Sequence, residues 1–252
     1  AHYRPGYSDK YLPYVLVGCY HCDADYRSIS GKAPIVNITR AQARAAIAAR
    51  GIGYWQYDVA TQKMLEHLYK IVAANLDSQT AVGMGVVNDF GPLNSGSTDG
   101  VPGLTGSVAN DGLSGVKLFG IENPWGNVWT FGDGVNFDGD KIYICTDPTI
   151  FADDTTDGYT ELSYTKAAAN GFVKKLGYDP DNPAMLFPVE VGGSGDTYIS
   201  DSYSQNAGPR VALFGGSLIS AQNAGVSSLA SSNASSLKDP TVSCRLQILP
   251  KP

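Results

Sequence analysis

Cysteine, histidine and clustered aspartate are the residue types here best suited to metal, redox or acid–base chemistry, and their spacing limits what they can do. Cys19-Tyr20-His21-Cys22 has the C-x-x-C spacing of a zinc half-site or a thiol redox pair. A tetrahedral zinc site needs two further ligands, and neither a second C-x-x-C nor a spaced His pair follows. Cys145 and Cys244 stand far apart, and only Cys244 has a basic neighbour, Arg245, of the kind that favours a thiolate. The cysteines therefore read as buried free thiols or as a disulfide of undetermined pairing. His2, His21 and His67 share no motif spacing, and His67 beside Glu66 reads as a partly exposed helix residue. No G-x-S-x-G or H-E-x-x-H motif occurs, so no catalytic residue is expected. Two acidic groups, Asp133, Asp138 and Asp140 and then Asp153, Asp154 and Asp157, offer oxygen ligands for a structural calcium without EF-hand spacing. Asp–Gly clusters are more often solvated turns. No cofactor is expected beyond that calcium.

A second pattern concerns display rather than chemistry. Ser217 to Thr241 is rich in hydroxyl side chains and carries only Lys238 and Asp239 as charges. A flexible linker has the same composition. Leu218-Ile219, Val226, Leu229 and Leu237 interrupt it, however, and the apolar run Arg245 to Leu249 follows, which reads as an ordered but adaptable surface. Upstream, Trp125-Gly126-Asn127-Val128-Trp129 reads as a core strand entered through a tight turn, because a β-branched residue between two Trp suits a packed strand. The functional alternative for that block is an aromatic sugar-binding platform.

These stretches need a scaffold. Thr39 is a helix N-cap, Ala41 to Arg50 a helix and Gly51 its end. A second helix is predicted from Val59 to Asn75, capped by Asp58, with Met64, Leu65, Leu68, Ile71 and Val72 on its buried face and Glu66–Lys70 paired outside. Asp77 to Phe119 reads as long loops. Strands are predicted near Tyr14–Gly18 and at Val128–Phe131, Lys141–Cys145, Ala184–Pro188, Val211–Phe214 and Arg245–Leu249. Ala167 to Leu176 has helical composition, but Asn170-Gly171 argues for a turn there. The apolar fraction of 43% suffices for a core, while only 17% charged residues with 29 Gly and 15 Tyr favour a loop-rich α+β or β protein over a helical bundle. A net charge of -6 with no basic cluster argues against nucleic acid as a partner. No apolar run approaches the roughly 20 residues of a membrane span, so no membrane insertion is expected. The chain opens at Ala1 without a visible leader pattern, which reads as a processed product or an excised domain.

Taken in order, Thr39 to Arg44, Ser78 to Gly85, Gly120 to Gly134, Gly171 to Tyr178, Asp201 to Tyr203 and Gly208 to Leu246 resemble the variable proteins of diversity-generating retroelements. These belong to the formylglycine-generating-enzyme branch of the C-type-lectin fold and include phage tail-tip receptor-binding proteins and bacterial surface adhesins. The Gly120–Gly134 and Gly208–Leu246 blocks are specific together, and either alone is weak. The resemblance implies an α+β, C-type-lectin-like fold with two helices, a small twisted antiparallel sheet and long loops. Residues 1–36 would be an amino-terminal extension and 37–252 the ligand-binding domain, with a variable display segment at 217–241. The fixed framework would be Arg210 to Ser217, Asn223 to Gly225, Leu229, Val242 and Arg245-Leu246. The solvent-facing variable positions would be Leu218, Ile219, Ser220, Gln222, Ser227, Ser228, Ala230, Ser232, Leu237, Asp239 and Thr241.

The implied role is host attachment at a virion tail tip, with a bacterial surface protein or glycan as ligand and other virion subunits as neighbours. A pilus-tip or other cell-surface adhesin is the alternative. Family members often carry aromatic residues or Asn at several variable places; here Leu218, Val226-Ser227-Ser228 and Leu237 leave few such anchors. Loops such as Tyr198 to Tyr203 are then expected to share in binding. Two further readings are an oxidoreductase acting through Cys244 and a second thiol, and a purely structural virion decoration domain.

Overall fold

The computed structural model describes residues 12–250. His2 and the first part of the amino-terminal extension lie outside them. The described chain is α+β and mostly β. In order it runs β1 (Leu16–Val17), α1 (Arg40–Ala48), β2 (Tyr54–Gln56), α2 (Val59–Ala73), α3 (Ser78–Ala81), β3 (Gly106–Ser107), β4 (Val116–Leu118), β5 (Ile121–Glu122), β6 (Trp129–Asp138) and β7 (Lys141–Ile144). It continues with β8 (Thr160–Glu161), β9 (Gly171–Leu176), β10 (Pro188–Val191), β11 (Ser202–Gln205), β12 (Arg210–Phe214), β13 (Leu229–Asn233), β14 (Val242–Ser243) and β15 (Leu246–Ile248).

Both long helices start where local chemistry directs. The Thr39 hydroxyl accepts from Gln42 N at 3.1 Å and Gln42 Oε1 accepts from Thr39 N at 3.0 Å, a reciprocal capping box that opens α1. Gly51, at φ +137°, lies just past the end of α1, and its amide donates to Ala48 O. Asp58 Oδ1 accepts from Thr61 N at 2.9 Å and opens α2, which ends on Ala74 in the left-handed region.

The expected orientation of α2 is reversed. Only Leu65 of the predicted apolar stripe is buried, whereas Leu68, Ile71 and Val72 are exposed by 42%, 76% and 68%. Gln62, Lys63, Glu66 and Tyr69 face inward instead. The expected outer pair is therefore internal: Glu66 is buried and binds Lys63 Nζ at 3.0 Å and Lys70 Nζ at 3.6 Å. The reason lies in what α2 covers. Gln62 Nε2 donates to Val226 O at 2.8 Å, and Thr61 Oγ1 to Gln247 Oε1 at 2.6 Å, so part of the surface beneath the helix is polar, beside the apolar contacts of Val59, Leu65 and Tyr69.

The main sheet has nine strands in the order β10-β9-β11-β13-β12-β6-β7-β8, with β14 joined to β6. It is larger than the small sheet expected. Its pairings are antiparallel except β11–β13 and β14–β6. Two three-stranded sheets, β1-β15-β2 and β3-β4-β5, complete the fold. Because β12 is buried on both faces, Val211 and Leu213 enter one core with Ile47 of α1, Phe131 and Cys244. Ala212 and Phe214 enter another with Val59 of α2, Val135 and Phe137. Trp125 is fully buried in a third, its indole N–H donating to Gly83 O at 3.1 Å.

Strand β6 bulges where its register with β12 jumps: Ala212 pairs with Gly132 but Val211 pairs with Asn136. Arg40, the buried first residue of α1, serves the backbone freed there by donating to Gly132 O at 3.1 Å and Val135 O at 2.8 Å. The calcium candidates belong to this arrangement. Arg44 binds Asp133 at 2.6 Å and Asp153 at 2.7 Å, and Arg40 pairs with Asp153 as well. Asp154 accepts from Ser235, and Asp138 lies at the exposed end of β6. Among the described residues no group of three or more His, Cys, Asp or Glu gathers around a common point. The two candidate acidic clusters are thus arginine-bridged or dispersed.

Candidate ligand-binding surface

Between β12 and β13 the chain makes a tight excursion over residues 215–228. Gly215 sits at φ +93°, and a Cβ there would lie 2.5 Å from Pro124 O, so only glycine lets the excursion begin against the aromatic block. Asn127, at φ +59°, holds the facing loop through its side chain, which accepts from Leu93 N at 2.8 Å. Its main-chain oxygen accepts from Leu218 N at 2.9 Å, and Leu218 O accepts from Asp89 N at 2.9 Å.

Side chains from elsewhere in the fold then grip this excursion by its backbone. Gln79 Nε2 donates to Ala221 O at 3.0 Å, and Ser202 Oγ to Asn223 O at 3.0 Å. Val226 is held at both ends of its peptide unit, its N–H donating to Ser78 Oγ at 3.0 Å and its carbonyl accepting from Gln62. Ser227 N donates to Asp201 Oδ2 at 2.6 Å. Asp201 is fully buried, and burial pushes its carboxyl up to about 8. A Cβ on Gly225 would fall on the Asp201 carboxylate, which makes glycine obligatory beside it.

The eleven predicted variable positions are not equally exposed. Ile219 is 71% exposed, Gln222 is exposed and Ser220 is half-buried. Ser232, Leu237, Asp239 and Thr241 are half-buried. Leu218, Ser227, Ser228 and Ala230 are buried, which corrects the expectation that they face solvent. Leu218 turns under the loop held by Asn127, and Ser228 is followed directly by β13. Ala230, on β13 itself, packs with Val211 and Leu213. Leu218 to Ser228 form a first group before β13 and Leu237, Asp239 and Thr241 a second after it, while Ala230 and Ser232 lie on β13 itself. In the second group Asp239 Oδ1 accepts from both Thr241 N and Thr241 Oγ1, and Leu237 packs on the core with Trp129.

Around the first group lie groups that sequence reasoning missed or named only loosely. Phe90 is fully exposed and follows Asp89, whose amide is bound to the residue before Ile219. Gln222 Oε1 lies against Gly195, in the loop that carries Tyr198, itself 57% exposed. Tyr203, in contrast, is buried, its hydroxyl 3.0 Å from Ser231 Oγ. No protein-family model matches this chain, and no curated protein matches it either. Ile219, Gln222, Phe90 and Tyr198 are exposed side chains on this excursion or on the loops that touch it, over a backbone fixed from beneath. A separate cleft of about 880 Å³ runs along the outer face of α2, bordered by Met64, His67, Leu68, Ile150 and Met185, and contains none of the eleven positions. No described helix is long and apolar enough to cross a membrane.

Proposed function

We propose that this chain is a non-catalytic display protein that binds a bacterial surface protein or glycan, in the manner of the retroelement-diversified receptor-binding proteins that its sequence resembles. The setting we propose is a virion tail tip. The observation that carries the reading is the backbone grip. Gln62, Ser78, Gln79, Asp201 and Ser202 bind main-chain atoms of residues 221–227, so those hydrogen bonds do not depend on which side chains the segment carries. A surface built this way accepts substitution at Ile219 and Gln222 while its path is kept, which is the property diversification requires, whereas Ser220 Oγ accepts from Ser217 N at 2.9 Å and is itself part of the hold. Phe90 and Tyr198 supply the rigid aromatic area that the segment lacks. Many copies on a virion would turn modest single-site affinity into avidity.

The test is deep sequencing of the 3′ end of the gene across a growing population, comparing codons 217–241 with codons 120–140. Substitutions concentrated at adenine-containing codons for the exposed positions, with the codons for Gly215, Gly225 and Arg245 constant, are expected. A uniform low rate across both windows would remove diversification and leave a binder of fixed specificity.

A further inference from the structure

Two cysteines remote in sequence meet in the core beneath the terminal strands. Cys22 N donates to Cys244 O at 2.9 Å, and Cys22 O accepts from Ile35 N at 2.7 Å, so the Cys22 backbone is fixed on both sides. Both residues are 0% exposed and belong to one apolar cluster with Phe131, Val211 and Leu246. Both thiols are free and buried in this structure, and the backbone hydrogen bond sets the two residues side by side. The C-x-x-C spacing suggested a different partner for Cys22, but Cys19 is exposed. Cys145 is also distant, its thiol donating to Asp147 O next to β7.

We propose that Cys22 and Cys244 form a structural disulfide that ties the amino-terminal segment to the last strands of the domain. The co-reactant is a small-molecule or protein disulfide donor of the glutathione disulfide class. The thiolate of one cysteine attacks the donor, forming a mixed disulfide and releasing one donor thiol. The second cysteine's thiolate attacks the protein sulfur of that mixed disulfide, forming the Cys22–Cys244 bond and releasing the second donor thiol. The protein pair is oxidised by two electrons, the donor is reduced to two thiols, and the two cysteine protons end on those thiols. The step belongs to folding or to transient opening, since neither sulfur is reachable in the closed core. Once folded, the neighbouring Cys22 side chain and burial hold the Cys244 thiol well above the ordinary range, which keeps an unoxidised pair inert.

The fold gives the bond a purpose. The strand β1 is only two residues long, and the amino-terminal segment is otherwise held to the domain by hydrogen bonds such as Gly18 N to Leu246 O and Arg245 to Gly18 O and Cys19 O. A link from Cys22 to Cys244 closes a loop of nearly the whole chain, the case in which restricting the unfolded state stabilises most.

The experiment uses the full chain, refolded in a glutathione redox buffer, denatured without reductant, alkylated and mapped by peptide mass spectrometry. Alkylation of Cys19 and Cys145 alone is expected, with the Cys22 and Cys244 peptides joined and separating on reduction. Alkylation of all four cysteines, or a link from Cys22 to Cys19, overturns the proposal. Reduction is expected to lower Tm by roughly 5–15 °C, and Cys19→Ser should leave the link and that shift in place. A linked protein whose Tm is indifferent to reduction would refute the stabilising tie.

Discussion

The side chains that set this structure apart are polar groups buried to serve the backbone. Asp201 is the most telling. Burial pushes its carboxyl up to about 8; the Ser227 amide and Lys70 act against that rise, and Glu66 and Asp77 add to it. Because the folded pKa lies above the unfolded one, its contribution to stability is fully present below the ordinary carboxylate range and is lost as pH rises toward 8. Urea unfolding of the wild type should therefore show stability falling by roughly 1–4 kcal/mol between about pH 4 and pH 8. Asp201→Asn, which keeps an acceptor for Ser227 N, should flatten that slope, and an unchanged slope would disprove this assignment. Arg245 serves more backbone still: it is buried and donates to the carbonyls of Gly18, Cys19, Glu122 and Asn123. Burial lowers its pKa from the usual guanidinium value. Arg245→Ala leaves those carbonyls without their donor and should cost about 3–5 kcal/mol by chemical denaturation. Arg245→Lys should recover only part of this, since a compact ammonium cannot span four carbonyls as a planar fork does.

At the scale of elements, what could be read from the sequence was what neighbouring residues decide among themselves. The caps at Thr39 and Asp58 are local hydrogen bonds, and both helices begin there. The run Val211–Phe214 is apolar at every position because both its faces are covered, and it is β12. The turn expected at Asn170-Gly171 does not form: Gly171 instead opens β9, a strand the local signal did not reveal. The strand expected at Ala184–Pro188 forms instead as β10, Pro188–Val191, because Asn182 and Ala184 accept turn hydrogen bonds from Met185 and Leu186. The orientation of α2 was not legible. Periodicity finds an apolar stripe without knowing what the helix rests on, and here it rests on main-chain atoms of Val226 and the polar side chain of Gln247. A consequence can be measured. Ile71→Glu and Val72→Lys, at exposed positions, should change stability by less than about 0.5 kcal/mol. Gln62→Leu, a more apolar helix residue, should cost about 1–3 kcal/mol by orphaning the Val226 carbonyl. A stripe that packed as the sequence suggested would give the opposite ranking in thermal melts.

For the whole molecule, the proposed role requires a surface that can vary while the fold does not. The eleven positions follow a linear resemblance, which does not register that β13 carries the chain through the main sheet; this is why Ser228 and Ala230 lie within a stretch, Ala224 to Ser231, that is buried throughout. Phe90 was equally hard to assign, since it reaches the surface from a distant loop that meets the segment only in three dimensions, whereas Tyr198 lies in a loop that the sequence already marked for binding. Variation should therefore separate into two regimes. Ile219→Tyr and Gln222→Tyr project into solvent and should leave Tm within about 2 °C of the parent, because exposed substitutions away from caps and networks seldom exceed about 0.5 kcal/mol. Ser228→Tyr and Ala230→Tyr place a ring in a filled core and should cost at least about 1–3 kcal/mol. Binding should divide differently. In a pull-down against a panel of intact bacterial cells, Phe90→Ala, Tyr198→Ala and Ile219→Asp should each weaken capture at unchanged Tm, whereas Ile71→Glu on the far cleft should not. Capture lost only with the Ile71 variant would move the binding site to the outer face of α2, and the display reading would then fail even though the backbone grip remained.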